Sequence, residues 1–181
     1  VGVIDSGVNR THASFSGTGV TNPLGSFRGY CISTPSACNS KLIGLYDFTT
    51  ATTNGLADPV DTDGHGTHTA STAVGAPFSI YSGVAPRANI IAYKACPGDT
   101  CTTSALIASI NQAVVDGVDV INYSIGGGVE PWTEATSLAF LSASNAGVYV
   151  AASAGNSGPA ANSMGHHEPW VASTAASLHG R

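Results

Sequence analysis

Short apolar runs alternate with stretches of helical periodicity along this chain. Residues 1–4 (VGVI) are a β-branched run that stops at the turn signal Asp5-Ser6-Gly7. Residues 41–48 (KLIGLYDF) and 88–96 (ANIIAYKAC) read as strands. Residues 118–123 and 148–152 repeat the pattern, each running into a glycine-rich loop, and 170–177 (WVASTAAS) read as one more strand. Helical segments lie between them. Residues 64–75 have small side chains and start a helix after Gly64. In 102–117, Leu106, Ile110 and Val114 fall on one face, Ser104 is placed to cap the start and Gly117 to end it. Residues 133–146 read as a further helix ended by Gly147, and 11–40, rich in Gly, Ser, Thr and Pro, as a long loop region.

Strands alternating with helices, the strands apolar throughout, imply a mainly parallel central sheet covered on both faces, a three-layer α/β/α architecture. Chemistry in such sheets gathers at the carboxyl ends of the strands. Three loops stand there: the one opening at Asp5, the one beginning Ser124-Ile125-Gly126-Gly127, and Ser153-Ala154-Gly155-Asn156.

Composition narrows the setting. The chain has 181 residues, about one domain, and is 43% apolar but only 9% charged. Six Lys and Arg stand against eleven Asp and Glu, a net charge of −5 with no basic run, which argues against a nucleic-acid partner. The four cysteines fall in two local pairs, Cys31 with Cys38 and Cys96 with Cys101. Neither spacing is CxxC, so two short-loop disulfides are expected, with free or metal-bound thiols as the alternative. Disulfides and an uncharged polar surface point to a secreted protein. No stretch approaches the ~18 apolar residues of a membrane span. No leader is visible, and both ends read as cut from something longer.

Each candidate residue has a plain and a chemical reading. Asp5 ends an apolar strand, either as a turn cap or as a carboxylate that orients a histidine. His65, in "DGHGTHTA", is a loop histidine or a general base, with Gly64 and Gly66 leaving room for a substrate backbone. His68 three residues on raises a zinc site, which His166, His167 and Glu168 would complete, although no HExxH glutamate is present. Asn156 is a turn asparagine or an amide donor to an oxyanion, the kind whose loss costs about 10²–10³ in turnover. Ser124, Ile125, Gly126 and Gly127 are a strand exit or an edge on which an extended peptide adds.

Taken in order, "VIDSGV", "DGHGTHTA" and "AGNSGP" resemble the aspartate, histidine and oxyanion-asparagine motifs of the subtilisin-like serine proteases. The resemblance covers nearly the whole chain and is strongest to the large secreted subtilases of plants and bacteria. It implies Asp5 and His65 as two members of a catalytic triad, and Asn156 as the oxyanion amide. It also implies Ser124, Ile125, Gly126 and Gly127 as the substrate-binding strand, with Ser153, Ala154 and Gly155 as a wall of the specificity pocket. His68 then has no part in proton transfer. The family's Gly-Thr-Ser-Met-Ala nucleophile motif is missing. Ser163 in "NSMG" is rejected, because no Gly-Thr precedes it and Gly165 and Pro169 follow where a helix should open. The resemblance therefore implies the first part of a catalytic domain, residues 1–181, cut where its relatives insert a protease-associated domain. Ser14 stands where calcium-binding relatives have aspartate, so no cofactor or metal is expected, and Tyr123 replaces a smaller residue before the substrate strand. The expected partners are a polypeptide substrate and a propeptide. The isolated chain is expected to be inactive. The rivals are a pseudoprotease acting as a binding module and a zinc hydrolase on His65 and His68.

Overall fold

A computed structural model describes residues 1–50 and 54–178. Residues 51–53 and 179–181 lie outside them. Seven parallel strands form one sheet: β1 (Gly2–Asp5), β2 (Arg28–Gly29), β3 (Leu42–Asp47), β4 (Ile90–Lys94), β5 (Val120–Tyr123), β6 (Tyr149–Ser153) and β7 (Ala172–Thr174). Their order is β2-β3-β4-β1-β5-β6-β7. The chain thus fills one side of β1 before turning to the other, and β1 sits where the order reverses. Crevices open at that point beyond the strand ends.

Side-chain alternation along the strands supplies two cores. Val3, Leu42, Leu45, Ile90 and Ala92 meet Ala70 and Val74 of helix α2 (His65–Val74) on one face. Ile4, Ile43, Ile91 and Ile121 meet Leu106 and Ile110 of α3 (Thr103–Val115) and Phe140 of α4 (Ala135–Asn145) on the other. These are the expected three layers. On α3, Leu106 and Ile110 are buried and Val114 packs at the margin. Its cap is Thr102, whose hydroxyl accepts the Ala105 N–H, rather than Ser104. Within the expected loop 11–40 the structure adds β2 and the single turn α1 (Tyr30–Ser33). Both disulfides form, Cys31–Cys38 and Cys96–Cys101.

One lysine lies wholly inside. Lys41, at the entrance to β3, donates to the carbonyls of Pro86 at 2.9 Å and Ala88 at 2.7 Å, and burial pulls its ammonium down to about 8.

Candidate active site

Asp5 closes β1 and is 2% exposed. Its Oδ1 accepts the Ser6 N–H at 2.7 Å and faces His65 Nδ1 at 2.7 Å. Its Oδ2 accepts the Thr69 hydroxyl at 3.2 Å. A carboxylate oxygen opposite Nδ1 puts the imidazole proton there, which leaves Nε2 as the bare nitrogen. The His65 side chain is 51% exposed, so that nitrogen is open to solvent and ligand. The hydrogen bond to Asp5 raises the imidazole pKa above 6.5, against partial burial and with help from the charges of Asp5, Asp63 and Asp61.

The histidine is held by the first turn of α2, and that turn is built on Asp61. The Asp61 carboxylate accepts the N–H groups of Gly64 and Thr67 at 2.8 Å each, the Ser6 hydroxyl at 2.9 Å and the Thr67 hydroxyl. Burial pushes this carboxyl up, but the hydrogen bonds from Thr67, Gly64 and Ser6 outweigh it and bring it to about 2. The helix start is thereby tied to the residue after Asp5. The glycines beside His65 serve this seating. Gly64 takes φ 103°, and a Cβ on buried Gly66 would lie 2.2 Å from the Gly7 carbonyl oxygen.

Asp5 and His65 open into a cleft of about 310 Å³ lined also by Asp63, Asp99, Ser124 and Asn156. Among the described residues the Asn156 amide has no hydrogen-bond partner. A second hollow of about 400 Å³ adjoins it, between Ser124, Gly126 and Gly127 on one wall and Ser153 and Gly155 on the other. Ile125 and Gly127 are anchored from behind: the Ile125 carbonyl accepts from Ser153 Oγ at 3.4 Å and faces His166 Nε2 at 2.9 Å, and the Gly127 carbonyl accepts the His166 N–H at 2.7 Å. Nothing among the described residues pairs with the backbone of Gly126. Ala154 accepts the Gly165 N–H at 2.9 Å. The segment 165–167 therefore stitches the two walls together.

A sequence model described as the subtilase family matches residues 1–176. The chain belongs to that family. It is 39% identical to the Arabidopsis thaliana subtilisin-like protease SBT2.2 and 41% to SBT2.1, over 100% of this chain in each case. It spans only about a quarter of their length, 25% and 26% respectively. Among solved structures, the S41 psychrophilic protease matches 96% of the chain with TM-score 0.67 and 30% identity, over 51% of its own length. Sphericase matches 96% with TM-score 0.69 and 27% identity, over 52% of its length.

The remaining candidates in this subtilase fall elsewhere. His68 is exposed on α2, and His166 and Glu168 are buried behind the second hollow, so the zinc constellation is not assembled. Among the described residues no group of three or more His, Cys, Asp or Glu side chains is placed to hold a metal ion. Ser163 lines the second hollow, and its hydroxyl donates to the Ala160 carbonyl at 2.6 Å. Tyr123 is buried against Phe140 and His166, in the support of residues 124–127. Sequence reasoning missed Asp61, Thr69 and the structural use of 165–168. An aspartate two residues before Asp63-Gly64-His65 was the one available sign.

Proposed function

We propose that the protein carrying this chain is a secreted serine endopeptidase, and that Asp5, His65 and Asn156 serve its catalysis. The observation that carries this is the 2.7 Å contact of His65 Nδ1 with Asp5 at the head of a cleft that also holds Asn156 and Ser124. Asp5 fixes the tautomer, so His65 Nε2 can take a serine proton and return it to the leaving amine. The Asn156 amide donates to the carbonyl oxygen as it becomes an oxyanion. An extended polypeptide pairs with the open backbone of 124–127, and the hollow between that segment and Ser153, Ala154 and Gly155 takes its side chain. The attacking serine is assigned to the parent protein outside these residues, in keeping with a chain that spans about a quarter of its relatives. Residues 1–181 alone are therefore inactive. Two disulfides suit an oxidising, extracellular setting. A propeptide that occupies the same cleft is the further expected partner.

A fluorophosphonate probe on the full-length protein tests the assignment. Mass spectrometry should find one labelled serine beyond Arg181, and His65→Ala should abolish the label. Folded protein that takes no label is a pseudoprotease, and a label on Ser163 would mean a different nucleophile.

A further inference from the structure

His166 is 3% exposed, yet both of its ring nitrogens face oxygen. Nε2 lies 2.9 Å from the Ile125 carbonyl and Nδ1 lies 3.2 Å from Glu168 Oε1. A carbonyl only accepts, so the first contact requires a proton on Nε2. The second then requires another proton, on Nδ1 or on the carboxyl. The pair thus holds one proton more than a neutral imidazole beside a carboxylate, whichever atom carries it.

The pair is closely enclosed. Glu168 is 2% exposed; its Oε1 also accepts the Ser137 hydroxyl of α4 at 2.7 Å, and Oε2 is buried with no partner among the described residues. The His166 ring stands edge-on to Tyr123 at 5.5 Å and to Phe140 at 6.1 Å. The other titratable groups on this side are Tyr123 of β5 and Glu134 before α4, whose carboxylate accepts the Gly128 N–H at 3.0 Å. Burial, then Glu168 and Glu134, raise the Tyr123 phenol, so it stays neutral. His167 turns away to the Met164 carbonyl at 2.7 Å.

We propose that His166, held by Glu168, is a positioning residue for the substrate-binding segment, and that it acts only while the pair keeps its extra proton. This rests on the polypeptide-binding role given above to residues 124–127. The ring and the N–H of His166 hold the carbonyls of Ile125 and Gly127, two residues apart, from one side. The backbone of Gly126 between them is left open on the other. When the proton leaves, the carboxylate retains Nδ1–H and the bare Nε2 meets the Ile125 oxygen lone pair to lone pair. The segment loses its anchor, and binding of an extended peptide weakens as pH rises.

The test is made on the full-length protein with an alanine oligopeptide whose central amide is reduced. Its Kd is measured by calorimetry from acid to alkaline pH, alongside KM and kcat for the unreduced peptide. His166→Phe keeps the ring volume and removes both nitrogens; it should raise Kd and KM about tenfold at acid pH, with the loss carried by KM rather than kcat. In Glu168→Gln the amide can donate to Nδ1 without an extra proton, so the alkaline weakening should vanish. Wild-type binding that ignores pH, an unmoved Kd in His166→Phe, or alkaline weakening that persists in Glu168→Gln would each overturn the proposal. If His166→Phe does not fold, the glutamine variant decides alone. Peptide binding with this pH dependence but no hydrolysis would sink the endopeptidase assignment and leave the positioning role standing.

Discussion

The contact between His65 and Asp5 ties the protonation of the imidazole to one geometry. The hydrogen bond to Asp5 raises the imidazole above 6.5, and a general base works only when neutral. Activity should therefore fall with decreasing pH through a midpoint above 6.5 in a profile of kcat/KM. Asp5→Asn removes both the hydrogen bond's charge and the tautomer preference. It should move that midpoint down and lower kcat by roughly 10⁴-fold. The sign for stability is the opposite: the pair stabilises the fold fully below 6.5 and loses its contribution as pH rises through the raised value. Half exposure of His65 keeps that contribution small. Asp61, brought to about 2, stays ionised through this whole range, so the helix start that carries His65 does not loosen in mild acid.

Helix α2 seats its first turn directly on the backbone after β1. Gly66→Ala would force a Cβ against the Gly7 carbonyl oxygen, 2.2 Å away, and neither backbone has a side chain to yield. We expect a loss of ~1–3 kcal/mol in denaturant unfolding, with a fall in kcat from the displaced histidine. Strand β3 carries a different cost in Lys41. The unfolded chain holds that proton more tightly than the folded one, whose ammonium is pulled to about 8 from 10.5, so stability should rise with pH between those values. Urea midpoints of wild type and Lys41→Met at both ends of the window check this; the wild type should gain ~1–3 kcal/mol on the variant. The elements with a clear period or apolar run, β1, β3 to β6 and α2 to α4, were legible in the sequence. Strand β2 was not, because two residues show no periodicity and their pairing with Gly44 and Leu45 is set by β3. Thr102 and Ser104 are equally good caps on paper; only the chain path before α3 selects the first. Asp5, His65 and Asn156 stood out because their motifs are local. Asp61 did not, and His166 stood out only as a zinc candidate, because their work is done on residues 6 and 125, distant in sequence.

At the scale of the molecule, the cleft lies on the seam where the sheet changes direction. Asp5 and His65 come from the side built first, Ser124, Ser153 and Asn156 from the side built second. The three-layer arrangement was readable from the alternation of elements, but this division was not, since strand order depends on which edges meet. The core beneath α2 draws only on residues up to Ala92. During refolding, pulse-labelled hydrogen exchange should protect α2 before α4, and simultaneous protection of both would count against independent formation of that core. The same division orders events at the ribosome. A nascent chain carries an oriented histidine before residues 124–127 and 153–156 have been made, and so the pair proposed for proton transfer waits for the site proposed for the peptide.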